Sequence, residues 1–355
     1  MPFNRPTLPE LLDRNRADIE SVLPPGDAHL RRHKLGMLAK VNAGAAHGMH
    51  GHLAWLADQI LPDRAEWEML IRWGSLRDVL PLPAYGASGT ILVTGQPGAL
   101  LRSGEALTRA DGWEYLTTQI VNLNAQGKAT VPVVSTQAGY DGNAVKSVVL
   151  RFARSIPGIA PQATVEAIGG GADAEAIASY RERVVFRWRN PPQQGALHDY
   201  VAWAREANPA VTRAWAYRNE MGANTVTVRF VTDQAPTGPI PDKVLIKLVY
   251  AHIRAKMPAT PELFVVEPLT KAVPVTLSIL PDTPAMRSAA TLEIRDFFIS
   301  DPDLEPGGTV YRSRLSEAVS KTPGERAHSL LAPSGDINLE TGELPVLGNL
   351  SWSAP

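Results

Sequence analysis

The stretch "SGTILVTGQPGALLRSGEALTRADGWEYLTTQIVNLNAQGKATVPVVSTQAG", residues 88–139, is where the chain changes its period. It consists of short runs rich in β-branched residues, broken by Gly-Gln-Pro-Gly, Asp-Gly and Gln-Gly turns. Alternating runs between turn dipeptides are the signature of antiparallel strands. We therefore expect a small antiparallel β domain over residues 84–168. Everything N-terminal to it reads differently.

Upstream, "TLPELLDRNRADIESVL" opens with a capping-box pattern, Thr7 to Glu10, with Pro9 tolerated in the first turn. Leu8, Leu11, Leu12, Ile19 and Val22 form a partial apolar stripe, and "LPPGD" at 23–27 stops the helix. No proline occurs from Ala28 to Leu61, where Leu30, Leu35, Leu38, Val41, Met49, Leu53, Leu56 and Ile60 recur at mainly helical spacing. Glycines at 36, 44, 48 and 51 weaken such a helix in isolation and let another backbone approach it closely. A further helix restarts after Pro62, with Asp63 as the expected cap.

Downstream, "IGGGADAE" reads as a hinge at Gly169, Gly170 and Gly171, followed by a helix that Asp173 caps. Ile177, Tyr180, Val184 and Trp188 share one face of it. Then come a helix at "ALHDYVAWAREA", hairpin strands around "EMGA", an amphipathic helix at "IPDKVLIKLVYAHIRAKMP", and strands at "LFVVEP" and "VPVTLSIL". Residues 290–321 read as mostly helical, and "HSLLAPSGDINLETGELPVLGNLSW" as a closing β hairpin or pair. The expected fold is α+β and multidomain: N-terminal long helices (1–80), the β domain (84–168), then small α+β domains (172–270 and 271–355).

Composition narrows the function. The chain has 355 residues, 35 basic against 36 acidic, so nothing points to nucleic acid or an anionic membrane as the main partner. It has no cysteine, which excludes disulfides and thiolate metal sites. No apolar run is long enough to span a bilayer, and the N-terminus lacks a signal core, so no membrane insertion is expected.

The candidate chemistry is thin. "HGMHGH" places His47, His50 and His52 in six positions. On a helix His47 and His50 share a face, while His52 turns away. The pattern is not His-Glu-x-x-His and encloses no carboxylate; the nearest usable acid is Asp58. A metal-dependent hydrolase built on these histidines is the alternative of another class, and a glycine-notched packing face is the simpler reading. "YRERVVFRWR" carries Glu182 among its arginines and suits a solvated or interface face better than a nucleic-acid patch. Two or three of these arginines are candidates for bidentate contacts to carboxylates of a neighbouring subunit. "IGGGADAE" lacks the Walker form, and its acidic helix start repels phosphate. The acid pairs Asp301/Asp303 and Glu317/Glu325 sit among turn residues, no Gly-x-Ser-x-Gly elbow occurs, and sugar binding by the β domain is a weaker idea still. No catalytic residue, cofactor or metal is expected. His47, His50, Trp55, Trp67, Trp73, Arg181, Arg183, Trp188 and Trp203 are the candidate interface residues.

The ordered series Gly169-Gly170, Asp173 and Glu175, Tyr180-Arg181-x-Arg183, Pro191-Pro192 to Gly195, Asp199-Tyr200 and Trp203-Ala204 resembles the baseplate J-like family of contractile-tailed bacteriophages. "HGMHGHLAWLADQILPDRAEWEMLIRWGSLRDV" followed by "PAYGASGTILVTGQPGALLRSGEALTRADGWEYLTT" looks like its Mu-like branch. The resemblance spans about residues 40 to 280, and the final 70 match only in general character. It implies a structural subunit of the tail baseplate wedge, in the virion and assembled in the host cytoplasm. Implied partners are other copies of itself, a tail protein I-like wedge partner, the central hub and spike, and sheath-proximal baseplate proteins. It equally suits a tailocin or another contractile injection system.

Overall fold

The computed structural model describes residues 4–23, 34–236 and 238–353. The chain divides into two compact units, one of residues 1–80 with 180–189 and one of 81–179 with 190–355. The fold is mixed α+β and multidomain.

The first unit is helical. Helix α1 (Leu8–Val22) has the capping box: Thr7 N donates to Glu10 Oε2 at 2.8 Å and Glu10 N donates to Thr7 Oγ1 at 3.4 Å. Helix α2 (Lys34–Gln59) spans 26 residues, about 39 Å at 1.5 Å per residue. The expected helix start at 28–33 and the "LPPGD" stop lie outside the described residues, save Leu23, the C-cap of α1. Helix α3 is Trp67–Ser75. Its N-cap is Glu66 rather than Asp63, because the Gln59 side chain accepts from Glu66 N at 2.8 Å and delays the restart. Helix α4 (Ile177–Arg189) begins four residues beyond Asp173, which instead accepts from Tyr140 N at 3.0 Å. Residues 180–189 of α4 complete the core of this unit, where Ala65, Leu70, Val79, Tyr180 and Val184 are buried together.

The second unit opens with β1 (Gly86–Gly95), β2 (Leu100–Leu101), β3 (Ala106–Thr108), β4 (Glu114–Thr117), β5 (Val121–Asn122), β6 (Lys128–Ala138), β7 (Val149–Phe152) and β8 (Ile159–Gly169). Six of these close into an antiparallel barrel, β1-β6-β4-β3-β7-β8, while β2 pairs β5 apart from it. Closure needs β1 and β8 to approach at Gly89. A Cβ there would stand 1.9 Å from Ala167 O, so only glycine fits. Alternate residues Ile91, Val93, Val131, Val133 and Val165 fill the interior with Tyr115 and Leu150.

Helix α5 (Leu197–Ala207), β9 (Arg213–Arg218), β10 (Thr225–Val231), α6 (Lys243–Lys256) and β11 (Glu262–Val266) form the central α+β module. β9 and β10 are the expected hairpin, and β11 adds parallel to β10 through α6. Val226, Val228 and Phe230 pack against Leu245, Val249 and Ile253 of α6 and Tyr200 and Ala204 of α5. Because side chains alternate across a strand, Arg229 and the β9 residues Arg213 and Tyr217 belong to the other face. There they meet the C-terminal module: Arg213 Nη1 donates to Phe298 O at 3.5 Å and Tyr217 OH to Pro306 O at 3.1 Å.

That module contains β12 (Leu269–Leu280), α7 (Pro284–Ser300), β13 (Thr309–Val310), α8 (Arg312–Ser320), β14 (Ala327–Ala332), β15 (Ile337–Asn338) and β16 (Glu343–Trp352). The expected closing hairpin or pair is present as two strands that do not pair with each other. β14 and β16 flank β12 on opposite sides, antiparallel and parallel respectively. β12 carries Val273, Val275, Leu277 and Ile279 at strict alternation, all buried, so it takes the central place.

Candidate assembly interface

Helix α2 buries Gly36, Ala39, Ala43 and Gln59 and exposes most of its large apolar residues. It packs along α1, and Asn42 Nδ2 donates to Asn15 Oδ1 at 3.1 Å. Leu38, Val41, Met49, Leu53, Leu56 and Ile60 are all exposed, Leu53 at 60%. With Ala45 they step by three or four residues along one stripe averaging close to the helical period. Gly44 and Gly48 leave open notches beside it, where a Cβ would meet no atom within 4 Å. A stripe of this length on one helix is well beyond the scattered exposed apolar residues of an ordinary surface.

The histidines divide. Arg5 Nη2 lies 3.2 Å from His47 Nε2 and donates to His47 O at 3.3 Å; Gly51 leaves room for that guanidinium, 3.0 Å from where a Cβ would stand. His52 stacks on Trp55, ring centroids 5.6 Å apart. His50 is half-buried on the same helix. Among the described residues no group of three histidine, aspartate or glutamate side chains comes together to hold a metal ion.

The other candidate interface residues find partners within their own unit. Trp55 Nε1 donates to Glu66 Oε1 at 3.0 Å and Trp73 Nε1 to Gln59 O at 3.1 Å. Trp67 meets Tyr180 edge-on at 5.6 Å, and Trp73 meets Trp188 at 5.3 Å, with the Arg77 guanidinium 4.2 Å over the Trp188 ring. Arg181 donates to Ala65 O at 2.7 Å and Pro62 O at 3.2 Å; Arg183 is buried and donates to Leu80 O at 3.3 Å. Arg181 and Arg183 thus reach carbonyls of their own unit, because α4 returns to α3 some hundred residues later. Trp203 packs edge-on against Tyr200 at 5.1 Å.

Gly169, Gly170 and Gly171 lie in a buried, bonded seam. A Cβ on Gly169 would stand 2.4 Å from the Asp242 carboxylate. Asn143 clamps Gly171 twice, accepting from its N at 2.8 Å and donating to its O at 2.9 Å, and the fully buried Asn208 donates to Gly170 O at 2.9 Å. Motion there must break these bonds.

Two further clusters escape a sequence reading. Arg229 and Glu220 form a buried pair at 2.7 Å, Arg229 Nη1 donates to Glu267 O at 3.0 Å, and the turn at Gly342 rests on the guanidinium. Ser316 Oγ, His328 Nε2 and Glu325 Oε1 line up at 2.7 and 3.0 Å, with His328 Nδ1 facing Glu325. The order matches a nucleophile, base and orienting acid, but Ser316 sits inside α8, whose backbone N–H groups there are spent on helix bonds. The chain ties α8 to β14. Asp301 Oδ1 accepts from Asp303 N, a turn contact rather than a carboxylate pair across a cleft. Electrostatic perturbations elsewhere are structural: hydrogen bonding from Arg154 holds the Glu105 carboxyl below its usual range, and burial, then Asp303, pushes Glu305 up.

With no assembled catalytic centre among the described residues, what distinguishes this chain is a barrel, an α+β pair of modules and a helical unit with an uncovered apolar face. Family models match in three consecutive pieces: the baseplate J-like protein barrel domain at residues 90–171, the baseplate J-like central domain at 192–267 and the baseplate J-like protein C-terminal domain at 273–353. The chain belongs to the baseplate J-like family of Mu-like phages. It is 31% identical to the Mu-like prophage FluMu protein gp47 of Haemophilus influenzae, over 99% of this chain and all of that protein. It is 30% identical to the baseplate protein gp47 of Escherichia phage Mu, again over 99% and 100%. A chain in the cryo-EM structure of the anti-feeding prophage baseplate superposes with a TM-score of 0.40 at 12% identity, covering 95% of this chain and 90% of that one. No described helix is long and apolar enough to cross a membrane.

Proposed function

We propose that this protein is a non-enzymatic structural subunit of a contractile-tail baseplate, part of the virion tail, and that it forms a wedge whose copies close into a ring around the central hub and spike. The observation that carries this reading is the exposed apolar stripe of α2, Leu38 to Ile60. Left in water it costs about 25 cal/mol for each Å² that a partner would cover, so it favours a partner strongly. A tail protein I-like subunit and a second copy are the partners we assign to it. Trp55 borders this surface, His47 and His50 turn away from it at 3.6 residues per turn, and Trp67, Trp73, Arg181, Arg183 and Trp188 hold the helices that present it. In the same reading the ring transmits the signal for sheath contraction by holding two arrangements. If Gly169–Gly171 serves as a hinge in that step, it acts by releasing Asn143 and Asn208.

The test is co-expression with the tail proteins encoded beside it, followed by pull-down, light scattering and elemental analysis. A metal-free complex with a smaller tail protein is the expected result. A stable lone chain carrying stoichiometric zinc would overturn the reading.

A further inference from the structure

Helix α6, KVLIKLVYAHIRAK, contains no acidic residue. Leu245, Val249 and Ile253 are buried against the central sheet. Lys243, Lys247, Tyr250 and Arg254 fall on the outward side, within an arc of about 60° at 3.6 residues per turn. All four are exposed. Lys243 and Lys247 have neither a hydrogen bond nor an ion pair among the described residues, and Arg254 reaches only the Met257 sulfur at 3.7 Å. Only Lys256, on the flank, is neutralised, by Glu206 at 2.6 Å. Three uncompensated cations on one face of a chain with balanced charge call for a negative surface elsewhere.

Such a surface exists on the same molecule. Helix α7 buries Met286, Ala290, Ile294, Phe297 and Phe298. On its outer side Leu292, Asp296 and Ile299 occupy a matching arc, with Leu292 and Ile299 among the exposed apolar residues. Glu293 flanks them, and Asp301, Asp303 and Glu305 follow in the next turn, against a lone Arg295. The acids are poorly compensated: Asp303 has only Arg314 at 4.0 Å, and crowding by Asp303 adds to burial in raising Glu305. Each helix thus offers charges spaced around an apolar centre, Tyr250 on α6 and Leu292 with Ile299 on α7.

The two faces cannot meet within one chain. α6 packs on the side of the central sheet that carries Val226, Val228 and Phe230. The C-terminal module meets the opposite side, through Arg213 and Tyr217 and where Gly342 lies on the Arg229 guanidinium. A contact between different surfaces of identical chains is head-to-tail, and repeated head-to-tail contacts generate rings. We infer that the outer face of α6 docks onto the outer face of α7 of the next copy, with Lys243, Lys247 and Arg254 meeting Glu293, Asp296 and the 301–305 turn, and that this is a ring-closing contact. It rests on the baseplate reading above and names the surfaces that reading leaves open.

The chain has no cysteine, so cross-linking starts from a clean background. Tyr250→Cys and Ile299→Cys are placed in one full-length chain, which is built into tail particles by co-expression of the neighbouring tail genes and mildly oxidised. Both sites are exposed, and an unchanged melting curve verifies the fold. The expected result is a ladder of disulfide-linked multimers, with monomer alone for each single variant. Adding Lys243→Glu, Lys247→Glu and Arg254→Glu should cut the ladder by about tenfold. Adding Glu293→Lys and Asp296→Lys to that chain should restore it. Particles that contain the chain but give no ladder overturn the contact while leaving the baseplate reading intact, as does a dimer from Tyr250→Cys alone, which signals a two-fold contact. Absence of the unsubstituted chain from the particles overturns the baseplate reading and this contact with it.

Discussion

Strand β6 of the barrel and helix α2 are both rich in apolar residues, yet they spend them in opposite ways. β6 turns Val131 and Val133 into a closed interior where neither is exposed beyond a trace. α2 turns Gly36, Ala39 and Ala43 inward and leaves Leu38, Val41, Met49, Leu53 and Leu56, with Ile60 just past its end, in solvent. The barrel is complete as one chain. The helix has its shape from one chain, while these large apolar side chains stay exposed among the described residues. The difference separates residues that make the fold from residues that make the assembly, and substitutions can break either side of it.

The largest effect is expected in the barrel. Gly89→Val drives a side chain into Ala167 O, at 1.9 Å from the Cβ position, in a backbone that closure holds fixed. It should cost about 3 kcal/mol or more and leave little soluble protein, measured by expression yield and chemical denaturation. Next is the buried pair behind β10. Arg229→Met alone strands Glu220 at 8% side-chain exposure and should cost about 3–5 kcal/mol. Arg229→Met with Glu220→Leu should recover most of it, which a double-mutant cycle reads directly.

The same contrast holds within the helical unit. Leu70, fully buried beside Tyr180 and Val184, should lose about 3 kcal/mol on Leu70→Ala. Leu53→Ala, at an exposed position, should change the stability of the free chain by no more than about 0.5 kcal/mol while reducing its incorporation into particles.

The smallest effects are titrations. Arg154 lowers the folded pKa of Glu105, so its contribution is present above the ordinary value of 4.5 and is lost as the pH falls below it. Arg154→Met should flatten the acid limb of Tm against pH. Glu305 is raised, so its charged form opposes folding near neutrality and protonation relieves it. Glu305→Gln should raise Tm slightly at pH 7, and the gain should vanish in acid.

Periodicity made the helices, the β domain and the β9–β10 hairpin legible, because those signals are local. It also grouped Leu38 through Ile60 on one face of a helix. It could not say which face of α2 is buried, since a period fixes which residues stand together and not what lies opposite them. Nor could it show that Trp73 would meet Trp188, or that Trp67, Arg181 and Arg183 would find partners in the same unit, because α4 returns to α3 after the whole barrel has intervened. The placement of β12 between β14 and β16 is hidden for the same reason: strand order depends on pairings distant in sequence. Asp63 and Asp173 had the right chemistry for caps, but Glu66 took the first position and the Tyr140 backbone took the second carboxylate.

The central claim is that the α2 stripe is a surface made to be covered. A single Leu53→Cys on the cysteine-free chain, labelled with a maleimide in the free protein and in assembled tail particles, tests it most directly. Fast labelling of the free chain and strong protection in the particle is the predicted result. Equal labelling in both would contradict it and leave the stripe without an assembly role.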